Sequence, residues 1–309
     1  MLSKPRCKKL EVLLSPGEDC EFSGETIETK FGSCLVKIEF AEKEIMTILA
    51  DDEIKALSLW EAFLSIYVAQ AFCFGYFFPI DSVNLHEANE SNSNTSVGHW
   101  EYWRNNMTGL FFSDSGFVNH LSLGDYHTLR KLLHEDTLAE YKKLNDVLII
   151  LTNGFWYQSA NTQLPVDMRC AGLIQCFENL GLYIAKTCGE EDIRLANKHK
   201  NSNNLLSASM KYLIKKYHLP SLFNDATDDI ALDEFTRRAI GTRNKMMHFD
   251  VFMTGGFLSS IECTYYARIL HIYFRYILLS LVGVEVSELA NSRIENWQER
   301  LANLKMKDV

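Results

Sequence analysis

The segment Arg243-Asn244-Lys245-Met246-Met247-His248 gathers side-chain types suited to work on an anion. Arginine offers a rigid fork of donors to phosphate oxygens and does not lose its charge. Histidine is the side chain that gives and takes protons near neutrality. Asn244 can donate to a phosphate oxygen or orient the imidazole, and Lys245 adds a second cation. The set suits proton transfer beside a charge-stabilised phosphorus centre and needs no metal or other cofactor.

Helical geometry sets a condition on that chemistry. Five residues carry a straight helix about 140° past its starting direction, so Arg243 and His248 do not share a face. For them to act together the helix must be distorted, must end there, or must meet a second copy of itself. The flanks favour an end: Gly241 weakens the helix before the segment, and "FMTGG" (252–256) closes it after. The competing reading is purely structural. Arg243 then pairs with an acid such as Asp250 or Glu234, and His248 is a satisfied histidine at a helix end.

The elements around the segment are helical. "RCAGLIQCFENLGLYIA" (169–185) repeats Leu173, Cys176, Phe177, Leu180 and Ile184 at helical spacing and is expected to pack against the helix of Arg243. Glu178 interrupts that apolar run; it reads either as a group that orients Arg243 or as a solvated carboxylate. Arg169 is a weaker phosphate candidate. Lys211, Lys215 and Lys216, with Tyr212, Tyr217 and His218, form a basic and aromatic stretch that suits RNA by charge and stacking, or a plain solvated helix face. The cluster Trp100, Tyr102, Trp103 and Arg104 is expected to be a packed strand, with base or trigger recognition as the alternative. His134 with its two neighbouring acids lacks metal-ligand spacing, and no Walker loop, GxGxxG or HExxH occurs.

Composition bounds the rest. With 47% hydrophobic residues and only 5 Pro, the 309-residue chain has ample material for a core and little linker. The net charge of −9 excludes a general nucleic-acid coat, whose affinity rests on phosphate neutralisation, but leaves room for a local basic site. None of the 8 cysteines forms a CxxC pair and no secretion signal is visible. Reduced, buried thiols and a cytoplasmic location are expected, so the Asn89, Asn94 and Asn106 glycosylation patterns carry no meaning. Segments 62–80 and 269–286 have the length of membrane spans. They carry Gln70, and His271 and Arg275, respectively, and are read as buried core helices.

Along the chain, residues 10–50 predict a small antiparallel sheet, and Asp51 or Asp52 predicts the N-cap of a helix that stops before Pro79. Residues 81–98 read as an Asn/Ser-rich loop. From about residue 123 the chain is helical. The expected fold class is α+β, with a mixed α/β region over 1–155 and a helical domain over 156–309.

Arg-x4-His, with a polar residue directly after the Arg, on a late helix of an all-helical region, resembles the signature of the HEPN superfamily (higher eukaryote and prokaryote nucleotide-binding domains). The resemblance covers roughly residues 160–285. It implies a helical bundle and a metal-independent endoribonuclease with Arg243, Asn244 and His248 as catalytic residues. It also implies a homodimer whose two motifs face one cleft, and 2′,3′-cyclic phosphate and 5′-hydroxyl products. An acidic residue on an early helix near the motif Arg is similar to Glu178 here. Lys245, Lys211, Lys215 and Lys216 are the RNA-binding candidates that go with it. The layout is similar to ApeA-like abortive-infection effectors. This implies a defence or toxin role, an antitoxin or phage-derived trigger as partner, and an N-terminal region that senses or restrains. The alternatives are a non-catalytic HEPN-like module binding nucleotide, RNA or protein, and a membrane-associated protein using 62–80.

Overall fold

A computed structural model of the chain describes residues 6–15, 24–40, 44–87, 123–160, 164–188, 202–217, 229–249 and 255–285. The fold class is α+β: an N-terminal antiparallel sheet is followed by a helical region. The chain divides into two compact units, Met1–Val147 with Leu279–Ser287, and Leu148–Leu278 with Glu288–Val309.

In the first unit the strands are β1 (Arg6–Leu14), β2 (Thr26–Phe31), β3 (Cys34–Phe40), β4 (Glu44–Lys55) and β5 (Ile80–Glu87). They lie in the order β2-β3-β4-β1-β5, all antiparallel. Alternation in the sequence sets the buried face: Leu10, Val12 and Leu14 of β1, Val36, Ile38 and Phe40 of β3, and Met46 and Ile48 of β4. The two-residue β2–β3 turn needs a positive φ, which Gly32 supplies at 59°.

Helix α1 (Ala56–Phe74) packs on β4 and β1. It buries Leu59, Phe63, Ile66 and Phe72, each worth roughly 1.5–3 kcal/mol on removal from water. By length and composition it is the described helix apolar enough to cross a membrane, and it forms one wall of this core. It ends where Gly75 turns at φ 89°.

Two expectations are corrected here. The helix does not start at Asp51 or Asp52, because β4 continues to Lys55, pairing Ile54 with Cys7 and Lys55 with Arg6 beyond a bulge in β1. Residues 80–87 are not loop but strand β5, whose Leu85 and Val83 lie opposite Leu10 and Val12. The aromatic cluster 100–104 and the three glycosylation patterns lie outside the described residues. Helix α2 (Tyr126–Leu132) follows, capped by the Asp125 carboxylate, which accepts from the N–H (2.9 Å) and hydroxyl (3.0 Å) of Thr128. Cys7, Cys34, Cys73, Cys170, Cys176 and Cys263 are buried free thiols.

The second unit contains the C-terminal part of α3 (Glu135–Ala160), then α4 (Val166–Cys188), α5 (Ser202–Lys216), α6 (Asp229–Met247) and most of α7 (Ser260–Leu281). Helix α4 packs on both α5 and α6. Phe274 of α7 stacks on Phe155 of α3 at 4.2 Å and meets Phe177 of α4 at 6.3 Å. His271 is enclosed beside Phe155 at 5.1 Å, and burial keeps it neutral, with Arg275 and Arg169 acting in the same direction.

The α4–α5 contact depends on Gly181. A Cβ there would stand 2.8 Å from the Ser209 carbonyl oxygen, and that atom belongs to backbone. Gly181→Ala is therefore expected to destabilise the protein by about 1–3 kcal/mol despite the better helix propensity of alanine, read as a lower urea midpoint. An unchanged or raised midpoint would contradict this packing.

Candidate active site

Helix α6 buries Leu232, Phe235, Thr236 and Ala239, the i, i+3, i+4, i+7 stripe of a packed helix. Arg243 is four residues further along the same stripe, so the stripe delivers its half-buried side chain to α4. There Nε donates to Oε1 of Gln175 (2.7 Å) and Nη1 donates to Oδ1 of Asn244 (2.9 Å). Gln175 in turn donates from Nε2 to Oε2 of the buried Glu178 (2.5 Å). Glu178 thus reaches Arg243 through Gln175 and does not touch it directly. Gln175 was not anticipated from the sequence; its signal is a second polar residue three positions before Glu178, within the same apolar run.

The other two arginines of α6 are neutralised. Arg237 binds Glu234 through two hydrogen bonds (3.0 and 2.7 Å), and its guanidinium holds the Glu234 carboxyl below the usual carboxylate range. Arg238 binds Glu262 of α7 through two more (2.7 and 2.5 Å). Glu234 is therefore occupied, and the surface pair between it and Arg243 does not form; Asp250 lies outside the described residues. Among the described residues no carboxylate is ion-paired with Arg243, and its Nη2 makes no hydrogen bond. Among the described residues this half-buried guanidinium has neutral acceptors and no counter-charge, an environment that an anion suits.

Helix α6 ends at Met247. The His248 N–H still donates to the Asn244 carbonyl (3.0 Å), and Phe249 then adopts φ 50°. A left-handed conformation costs a non-glycine residue about 1–2 kcal/mol. His248 leaves the helical path with an exposed imidazole that makes no hydrogen bond or ion pair among the described residues. Of the three conditions under which Arg243 and His248 can act together, one chain supplies the helix end. The C-terminal end of a helix repels an anion, so an anion here is held by side chains.

The remaining candidates are placed as follows. Lys245 lies 3.4 Å from the centroid of the Phe257 ring, a cation–π contact. Lys211 is ion-paired with Asp233, and Lys216 donates to the Tyr212 hydroxyl (2.8 Å); Lys215 is exposed. Arg169 donates to the carbonyls of Gln158 (3.2 Å) and Ser159 (2.9 Å), and so closes the end of α3. Among the described residues no group of three or more His, Cys, Asp or Glu side chains is arranged to hold a metal ion. Compared with known proteins, the chain matches no family model, no curated protein and no solved structure.

Proposed function

We propose that the chain is a metal-independent endoribonuclease of HEPN type. The observation that carries the reading is the Arg243 guanidinium, fixed by Gln175 and Asn244 yet ion-paired with no carboxylate among the described residues, five residues before an exposed His248 at the helix end. RNA brings its own nucleophile. A His248 imidazole takes the 2′-hydroxyl proton, the 2′-oxygen attacks phosphorus, the P–O5′ bond breaks, and a second proton reaches the leaving 5′-oxygen. Arg243 donates to the non-bridging oxygens as charge builds on them, with Asn244 holding the guanidinium. One chain supplies one such histidine, so a homodimer with both motifs on one cleft supplies base and acid together. The first unit then senses a trigger or restrains cleavage, as a cytoplasmic defence or toxin effector requires.

Incubation of the full-length protein with total RNA in the presence of a chelator tests this. The expected products end in 2′,3′-cyclic phosphate and 5′-hydroxyl, and a 2′-deoxy substitution at the cleaved nucleotide abolishes cutting. Intact RNA under all conditions, with harmless expression, would support the second reading, a non-catalytic module that binds nucleotide, RNA or protein through Arg243. What favours that reading is the imidazole of His248, which has no orienting partner of the kind a general base commonly has among the described residues.

A further inference from the structure

Two opposite charges in the second unit stand close without pairing. The Glu178 carboxyl is buried in α4, and among the described residues it is ion-paired with no cation. The half-buried Arg243 guanidinium is ion-paired with no carboxylate among them. A buried charge is least costly beside its opposite, and Arg238 of α6 and Glu262 of α7 do meet directly. Between Glu178 and Arg243 stands one amide instead. Gln175 Oε1 accepts from Arg243 Nε (2.7 Å), and Gln175 Nε2 donates to Glu178 Oε2 (2.5 Å).

That amide fits only one way round. Its oxygen and nitrogen are alike in shape, so its partners decide which faces which. A guanidinium only donates and a carboxylate only accepts. Turning the amide over would set donor against donor and acceptor against acceptor. Glu178 therefore acts on Arg243 by orientation, presenting the Gln175 oxygen to it. Packing does not call for an amide here, because Gln175 is half-buried between the buried Ile174 and Cys176.

We propose that Gln175 is a positioning residue and a neutral spacer. It fixes the Arg243 guanidinium against α4 and keeps the Glu178 charge one amide away, so that the positive charge stays available to a phosphate; this rests on the reading of Arg243 as the group that binds the RNA phosphate. A carboxylate in direct contact would fix the guanidinium equally well but would neutralise it, as Glu234 and Glu262 neutralise Arg237 and Arg238. Coulomb attraction falls with distance, so a charge set behind the amide competes less with an arriving anion. Gln175 transfers no proton and acts through Arg243.

The test exchanges the two groups. Gln175→Glu combined with Glu178→Gln keeps the side-chain sizes and the net charge, and places the carboxylate against Arg243 with the amide behind it. The full-length wild type, this exchanged variant and Gln175→Met are compared by melting temperature and by cleavage of a short RNA of mixed sequence. Their affinity is read with a fluorescent oligonucleotide of the same sequence carrying 2′-deoxy sugars, which is bound but not cut. The exchanged variant is expected to melt no lower than wild type, because Arg243 gains an ion pair, and to bind the oligonucleotide about ten- to a hundredfold more weakly. Gln175→Met keeps the size and releases the guanidinium, and is expected to lower kcat about ten- to a hundredfold with affinity within about threefold. Wild-type affinity and rate in the exchanged variant would overturn the proposal while leaving the ribonuclease reading intact. If the exchanged variant melts well below wild type, Gln175→Met decides, and an unchanged kcat overturns the proposal. A wild type that binds the oligonucleotide but cuts no RNA would overturn the ribonuclease reading, and loss of binding in the exchanged variant would still establish the spacer. A wild type that neither binds nor cuts would overturn both.

Discussion

Replacing Arg243 with alanine is expected to lower the rate of RNA cleavage by about a hundred- to a thousandfold, the cost of removing one preorganised donor to a developing oxyanion. The fold should survive. Two hydrogen bonds to neutral oxygens are lost, each worth about 1 kcal/mol net, and with them goes a half-buried charge that is ion-paired with no carboxylate among the described residues. Arg243→Lys is informative because it keeps the charge and discards the fork. A lysine cannot reach Gln175 and Asn244 at once while also facing phosphate, so most of the loss should remain. His248→Ala is expected to cost about 10²–10⁴ in kcat and to leave melting unchanged, since the exposed imidazole contacts nothing described. The two variants part on binding: Arg243→Ala weakens the grip on a 2′-deoxy-blocked RNA, and His248→Ala does not. Mixing the two inactive variants is a further check. In a dimer with one composite cleft, a mixed pair holds one Arg243 and one His248, and partial activity should return. Cleavage by Arg243→Ala at the wild-type rate would remove Arg243 from the reaction, and with it the HEPN-type reading of this site.

The fold class was readable in the residues because strand alternation and helical stripes are local signals. The elements misjudged were decided at long range. Asp51 and Asp52 are good N-cap types, yet the backbone after them finds partners far earlier in the chain, Ile54 with Cys7 and Lys55 with Arg6 of β1, across a bulge that local pattern does not reveal. Residues 80–87 look polar because Asp81, Ser82, Asn84 and His86 alternate with Val83 and Leu85, and a strand at the edge of a sheet tolerates that. The same distinction holds at the candidate site. That Arg243 would leave the helix face of His248 followed from helical rise and twist alone. That its guanidinium would meet Gln175, 68 residues away, depended on how α4 and α6 pack. The strain at Phe249 was not readable either, because phenylalanine carries no preference for a positive φ that would announce it.

The first unit carries its own testable feature in Glu44, the residue that opens β4. Its carboxyl is wholly buried, and burial raises its pKa to about 8, against which the hydrogen bond from Gln70 Nε2 to Oε2 (2.7 Å) works only partly. Two further atoms, Glu44 Oε1 and Gln70 Oε1, have no partner among the described residues, and both are acceptors when the acid is ionised. One proton answers both. A carboxylic acid and a primary amide can exchange two hydrogen bonds, amide N–H to acid carbonyl and acid O–H to amide carbonyl. Tyr67, whose hydroxyl donates to the Phe78 carbonyl, is the titratable neighbour, and burial raises its pKa with the charge of Glu44 acting the same way. The sign of the pH effect follows. An unfolded Glu44 ionises near its ordinary pKa of 4.5, and the folded one near 8, so between those values the folded state holds a proton that the unfolded state has released. The contribution is full below the lower value, is lost at roughly 1.4 kcal/mol per pH unit as pH rises, and is gone above the upper. Summed over that window the loss is on the order of 4–5 kcal/mol. Glu44→Gln keeps shape and allows two amide hydrogen bonds without a titratable proton. Its stability relative to wild type, from urea melts at successive pH values, should rise steadily from pH 5 to pH 8 and then level. A difference that stays flat across that window would mean that Glu44 is ionised in the folded protein and that its charge is met by a group other than Gln70.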